Sequence, residues 1–145
     1  MRNINRLLKE YVIVDVDTGS RQKVLGSHKL SKNLAVSELA CNDEIEIVLY
    51  SSGLVMKFQK IRDAVGRSVT VNSGHRTISH NKKVGGYAQS KHLFGMGLDL
   101  APPTGITVDE FHKVCLGIMG LDSGVGVYNT HVHIDNGKHF RKDWR

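Results

Sequence analysis

The spacing of apolar residues predicts two amphipathic helices. Apolar side chains recur at helical spacing from Leu54 to Val65, and Gly66 follows as a C-terminal cap. A second helix is predicted after Thr107, because Thr107 and Glu110 form a capping box ahead of apolar positions between residues 111 and 118.

Between these helices, short runs rich in β-branched residues predict strands. The predicted strands are Tyr11–Asp17, Val69–Val71, Leu98–Leu100, Val125–Tyr128 and His131–Asp135. Together the elements indicate an α+β fold, in which helices flank a small antiparallel sheet.

Other segments have weaker patterns. Residues 2–10 are predicted to form a short helix, and residues 34–40 one or two helical turns. Residues 44–49 fit a strand or a helix equally well. The stretch from Ile78 to Gly97 is rich in Gly, Asn, Ser and Lys and is predicted to be a surface loop.

A chain of 145 residues fits a single domain. Within residues 1–145, we expect residues 1–26 to form an N-terminal arm packed on a core of residues 27–145. No apolar run approaches the roughly 20 residues that span a bilayer, so no membrane association is expected. The two cysteines, Cys41 and Cys115, lack metal-binding spacing and are expected to be buried free thiols.

The formal net charge of +6 indicates attraction to an anionic partner, either nucleic acid or an acidic cell wall. The basic residues are scattered, and no aromatic residues alternate with them as in a groove that binds single strands. Charge alone therefore does not choose between the two partners.

Two segments carry candidate chemistry. In His131–Asp135, polar residues occupy every second position, so a strand here would place His131, His133 and Asp135 on one face. Such a cluster needs a partner, and a cation is one that would satisfy it. Asp99 lies between two leucines and, by the same alternation, faces away from them.

If these two strands lie side by side, one face gains an Asp and a His, to which His92 from the preceding loop can be added. Two nitrogens and one oxygen suit Zn²⁺, and three protein ligands leave a fourth position for water, as in catalytic sites. Singly, His92 reads as a loop residue, Asp99 as a group that binds a backbone amide, and H-x-H as a chance pattern; their convergence favours the metal site.

The order of these motifs resembles a known family. Ser90–Asp99 has the form S-x-H-x-x-G-x-G-x-D, and a late H-x-H follows it. This resembles the D-Ala-D-Ala carboxypeptidase-like zinc peptidases, which include phage L-alanyl-D-glutamate endolysins and have the hedgehog/DD-peptidase fold. The similarity runs from about Leu30 to Trp144 and includes Ser73–Thr77, His80–Asn81 and Gly124–Tyr128.

The resemblance implies roles for individual residues. His92, Asp99 and His133 would be the zinc ligands. Arg76 would bind a substrate carboxylate or carbonyl and stabilise a developing oxyanion, although a surface arginine after a turn is the alternative. Ser90 would position the loop or touch substrate, and is equally well read as a plain loop serine.

The general base is the point of departure from the family. Several relatives carry an acid three residues before the last ligand, where this chain has Thr130, which cannot act as a base. His131 is the expected substitute, since an imidazole suits acid–base work near neutral pH. Asp135 would instead orient His133.

The resemblance implies zinc-assisted hydrolysis of an amide bond in a peptidoglycan stem peptide, either D-Ala-D-Ala or L-Ala-D-Glu. A monomeric phage or prophage lysis enzyme is expected, made in the cytoplasm without a visible signal peptide and carried to the cell wall by lysis or by a phage particle. The alternatives are a zinc-containing cell-wall binding module without turnover and, on charge alone, a nucleic-acid-binding protein. The latter leaves the histidine and aspartate pattern unexplained, so no nucleic-acid partner is expected.

Overall fold

The structure, a computed structural model, describes residues 4–43 and 45–145. Residues 2, 3 and 44, which belong to the first predicted helix and to the ambiguous segment 44–49, lie outside the described residues. The helices are α1 (Ile4–Leu8), α2 (Val36–Leu39), α3 (Ser52–Val65), α4 (Ile78–Lys83) and α5 (Val108–Met119), with a 3-10 turn at Lys91–Phe94. The strands are β1 (Glu10–Asp15), β2 (Arg21–Leu25), β3 (Lys29–Ser31), β4 (Leu34–Ala35), β5 (Ile47–Tyr50), β6 (Thr70–Ser73), β7 (Gly97–Ala101), β8 (Gly124–Val127), β9 (Val132–Asp135) and β10 (Phe140–Asp143).

A five-stranded sheet positions the candidate site. Its strand order is β10-β8-β9-β7-β6, and all neighbours are antiparallel except β10, which runs parallel to β8. Helix α5 packs against β8, β9 and α3. The α+β class predicted from the sequence is therefore confirmed.

The N-terminal strands form a second sheet of order β2-β1-β5, in which β1 is antiparallel to β2 and parallel to β5. Tyr11 and Ile13 of β1 are buried in the same hydrophobic cluster as the helices and the larger sheet. Strand β1 thus packs on the main core, and the division into an arm of residues 1–26 and a core of residues 27–145 stays a prediction.

The core lies between the helices and the sheets. Its largest fully buried side chains are Phe58, Phe111, Ile13, Leu34, Leu54, Ile61, Leu100 and Ile134. Strand β9 follows the predicted alternation, with Val132 and Ile134 fully buried in this core and His133 between them. Alternation thus turns the polar residues of β9 to the opposite face.

Both long helices are confirmed, and local signals define their ends. The Ser51 hydroxyl accepts a hydrogen bond from Leu54 N at the start of α3, and Gly66 ends this helix in the left-handed conformation with φ 64°. At α5, Thr107 and Glu110 form the predicted capping box.

The prediction of a loop from Ile78 to Gly97 is wrong for the two ends of the segment and correct for residues 84–90. This segment contains α4 and the 3-10 turn, because each begins with a hydroxyl that caps it: Thr77 accepts from His80 N, and Ser90 accepts from His92 N. The ambiguous segment forms a strand from Ile47. Among the described residues, no helix has both the length and the apolar character needed to cross a bilayer.

Candidate metal centre

His92 is held by the 3-10 turn that precedes β7. Gly95 ends this turn with φ 70°, and a Cβ there would lie 2.4 Å from the carbonyl carbon of Leu49, so the chain requires glycine at this point. His92 is only 3 % exposed, and its Nδ1 donates to the carbonyl oxygen of Gly74 over 2.7 Å. Because a carbonyl only accepts, the proton sits on Nδ1, which leaves the lone pair on Nε2 free for an ion.

Asp99 and His133 face each other across neighbouring strands. They are direct partners in the antiparallel β7–β9 pair, and Oδ1 of Asp99 lies 2.9 Å from Nδ1 of His133. The same carboxylate oxygen lies 3.3 Å from Nε2 of His92. One ligand atom from each of the three residues falls within 4.8 Å of the others, so the group can hold a metal ion.

Asp135 engages the far side of the His133 ring. Nε2 of His133 donates to Oδ2 of Asp135 over 2.7 Å, and Oδ1 of Asp135 accepts from Gly137 N. This contact leaves Nδ1 of His133 as the nitrogen that faces Asp99 and His92. The arrangement is the carboxylate–histidine pair that typically orients a metal-binding imidazole; the role of Asp135 at a metal centre stays a prediction.

Hydrogen bonds among its own residues set the pKa values of the centre. Burial raises the pKa of Asp99, but hydrogen bonds from His133 and His92 outweigh it and hold the pKa well below its usual range. Burial alone would lower the pKa of His133, but hydrogen bonds to Asp135 and Asp99 raise it to about 9. At Asp135, burial also raises the pKa, but hydrogen bonds from His133 and Gly137 outweigh it and lower the pKa. Asp99 and Asp135 are therefore negatively charged at neutral pH, and they are paired with His133 and Arg76.

Arg76 lies next to the three residues. Its guanidinium reaches Oδ2 of Asp99 over 3.3 Å, and it also donates to Ser73 Oγ over 3.0 Å and to Asn81 Oδ1 over 3.3 Å. A guanidinium has five N–H groups, so two remain that no described residue engages. A cavity of about 260 Å³ is lined by Arg76 and Gly74, among others, and by none of the three clustered residues.

His131 lies just before β9 rather than within it. Its ring stacks on Tyr128 with 4.3 Å between centroids, and its Nδ1 lies 3.1 Å from the hydroxyl oxygen of Thr130. Burial lowers its pKa, so the imidazole is neutral at pH 7. His131 flanks the metal cluster and is separate from it. The Ser90 hydroxyl accepts a hydrogen bond from His92 N and caps the turn, and its contact with substrate stays a prediction.

Two aromatic residues beside His133 were not predicted from the sequence. Phe140 and Trp144 lie beside His133, with ring centroids 6.2 Å and 6.3 Å from it. The two rings fit because residues 124 and 126 of β8 are glycines. A Cβ at Gly124 would lie 2.1 Å from Phe140, and a Cβ at Gly126 would lie 1.9 Å from Trp144. The G-x-G pattern of β8 is the sequence signal that marks such a close approach in a strand.

Comparison with protein families identifies the chain. The model of the family described as peptidase M15 matches residues 32–135, which is most of the chain and includes the three clustered residues. The chain belongs to the peptidase M15 family. This confirms the family resemblance found in the sequence and, at the level of class, the prediction of a peptidase.

A curated relative matches over a shorter region. The zinc D-Ala-D-Ala carboxypeptidase of Streptomyces albus G is 42 % identical over 45 residues, which cover 30 % of this chain and 18 % of that protein. The match thus spans less than a fifth of the relative's length. Family membership, the zinc enzyme among its relatives and the His-Asp-His cluster together confirm the prediction of zinc as the cofactor.

Both cysteines are buried free thiols, as predicted. Burial raises the pKa of Cys115 to about 12, so this thiol is protonated and unreactive at neutral pH.

Proposed function

We propose that this peptidase uses zinc to hydrolyse an amide bond in peptidoglycan stem peptides. One observation carries the proposal: Nε2 of His92, Oδ1 of Asp99 and Nδ1 of His133 converge, while the other nitrogen of each imidazole is already hydrogen-bonded. The family and the name of the curated relative support a wall peptide as substrate.

The donor set fits zinc. Two imidazole nitrogens and one carboxylate oxygen are ligands that zinc takes in peptidases, and three protein ligands are typical of catalytic rather than structural sites. Gly74 and Asp135 fix the orientation of the two rings. His92, Asp99 and His133 would therefore hold the ion.

Bound zinc would supply a Lewis acid that activates water and polarises the scissile carbonyl. His131 would accept the proton of the attacking water and pass it to the leaving amine. When Nδ1 of His131 donates to the Thr130 hydroxyl, its Nε2 carries the lone pair that this step needs. Thr130 would thus orient the base instead of acting as one.

Arg76 would bind the peptide. Its two unengaged N–H groups suit a substrate carboxylate or the oxygen on which negative charge develops. The adjoining cavity is lined by Arg76 but by none of the proposed metal ligands, so it would take only a part of the peptide away from the scissile bond. The bond cut would be D-Ala-D-Ala or L-Ala-D-Glu, according to which end of the stem peptide enters.

We also propose that the protein acts on the cell wall as a phage or prophage lysis enzyme. The net charge of +6 supports attraction to an acidic wall. Host lysis or a phage particle would bring it to its substrate.

The test is release of amino groups from purified peptidoglycan, followed by mass spectrometry of the products. We expect cleavage that stops with chelator, returns with zinc, and falls about 10²–10⁴-fold in His131→Ala, the range of general base catalysis. The exposed His28 provides the control variant His28→Ala, which should cleave normally. Free D-alanine among the products identifies a carboxypeptidase, and new L-alanine carboxyl ends identify the endopeptidase.

Thr130 favours a second candidate, a zinc-containing cell-wall binding module without turnover. It predicts that the protein binds one zinc and sediments with peptidoglycan but releases no amino groups. That result would replace the hydrolase proposal.

A further inference from the structure

Asn81 is a buried polar residue, and both the oxygen and the nitrogen of its side-chain amide are hydrogen-bonded. It lies in α4 and is 3 % exposed. Its Oδ1 accepts from Arg76 over 3.3 Å, and its Nδ2 donates to the carbonyl oxygen of Tyr87 over 2.7 Å. The side chain therefore joins the guanidinium of Arg76 to the backbone of the glycine-containing segment 84–90.

Arg76 in turn decides which oxygen of Asp99 faces the metal position. The guanidinium occupies Oδ2 of Asp99, and this leaves Oδ1 opposite Nε2 of His92 and Nδ1 of His133. Ser73 and Asn81 hold the guanidinium from two other directions. Loss of one of these contacts would let the guanidinium move and the carboxylate rotate.

We propose that Asn81 is a positioning residue of the metal centre. Through Arg76 it keeps Asp99 as a ligand with a single oxygen, and through Tyr87 it couples this geometry to segment 84–90. The inference rests on the proposed function only in that the centre binds a metal.

Gly86 supports the same network independently. Its N–H donates to the backbone carbonyl of Asn81 over 2.9 Å, and a Cβ at this position would lie 2.0 Å from Asn81 Oδ1 and 3.1 Å from Arg76. Segment 84–90 thus passes Asn81 so closely that a side chain would displace the amide. Gly85 next to it has φ 73°, and a Cβ there would meet no atom within 4 Å, so a left-handed Asn can replace it.

Three variants test the inference: Asn81→Leu, Asn81→Asp and Gly86→Ala, with Gly85→Asn as the matched control. The readouts are zinc affinity by competition with a chelator and the visible spectrum of the cobalt-substituted protein, whose bands depend on ligand geometry. Neither readout requires turnover. Circular dichroism and melting confirm that each variant is folded.

We expect Asn81→Leu and Gly86→Ala to bind zinc about 10–100-fold more weakly, the range for residues that orient metal ligands, and to show altered cobalt bands. Asn81→Asp keeps an acceptor for Arg76 and loses the donor to Tyr87. It should therefore retain the cobalt spectrum while hydrogen exchange in segment 84–90 becomes faster. Gly85→Asn should match the wild type in both metal readouts.

Wild-type zinc affinity and cobalt bands in folded Asn81→Leu would overturn the inference. If that variant does not fold, Gly86→Ala decides, since it leaves α4 unchanged in sequence. A protein that binds metal but cleaves no peptidoglycan would overturn the proposed function and leave this inference standing, whereas a wild type that binds neither zinc nor cobalt would end both.

Discussion

Asp99 and His133 are direct cross-strand partners in the β7–β9 pair, and their facing atoms lie 2.9 Å apart. A slip of this pair by one residue would turn His133 into the core and Ile134 or Val132 out of it. The hydrophobic alternation of β9 therefore sets the geometry of two of the three proposed metal ligands.

The first prediction concerns metal content. Purified protein should carry one zinc per chain, and His92→Ala should lose it on dialysis, because His92 provides one of only three proposed ligands. Elemental analysis measures both. His28→Ala, a change at an exposed histidine, should keep its zinc. Equal zinc in both variants would rule out the proposed ligand set.

The second prediction concerns Asp135. Asp135→Ala should bind zinc about 10–100-fold more weakly, because Nε2 of His133 loses the acceptor that orients the ring. Competition with a chelator measures the affinity. Asn136 lies nearby, and none of its described hydrogen bonds involves His133. The control variant Asn136→Ala should therefore change zinc affinity little. Unchanged affinity in Asp135→Ala would remove this aspartate from the metal centre.

The third prediction concerns the glycines of β8. Gly126→Ala should lower the free energy of unfolding by about 1–3 kcal/mol, because the new methyl group would overlap the Trp144 ring. In contrast, Gly117→Ala on α5 meets open space and should raise it by about 0.5–1 kcal/mol through helix propensity. Urea unfolding compares the pair. Equal effects of the two changes would contradict the packing described for Trp144 against β8.

The fourth prediction concerns acid stability and Asp15. This buried carboxylate accepts hydrogen bonds from Asp17 N, Thr18 and Ser52 N, which outweigh burial and lower its pKa. A lowered pKa in the folded state means that Asp15 stabilises the fold above its unfolded pKa of 3.8 and loses this contribution as pH falls through the folded value.

Asp15→Asn should therefore cost about 1–2 kcal/mol at pH 7, and the difference from wild type should shrink toward pH 2. Urea unfolding of the wild type and of Asp15→Asn, each with a chelator present to remove metal, measures the difference from pH 7 to pH 2. A constant difference across this range would show that the charge of Asp15 does not contribute.

The sequence was sufficient for the class of fold and for the shared face of Asp99 and His133, because both depend on local periodicity; His92 lies in a 3-10 turn, where periodicity gives no signal. The alternation of His133 with Val132 and Ile134 identifies the polar face of β9, and the capping box at Thr107 identifies the start of α5. The site assignments themselves remain predictions until metal binding is measured.

What the sequence did not provide depends on contacts between distant segments. The network of Asn81 was missed because α4 is short and polar and depends on its cap at Thr77. Strand β10 was missed because its residues are mostly polar and exposed, and only its parallel pairing with β8 makes it a strand. His131 was expected within β9, yet its position is set by stacking on Tyr128.

The chain has one tryptophan, Trp144, and its ring lies edge-on to that of His133. A cation held by His133 would change the charge next to the indole, and we expect the emission of Trp144 to change with it. Ultraviolet fluorescence should then follow metal binding without any added dye.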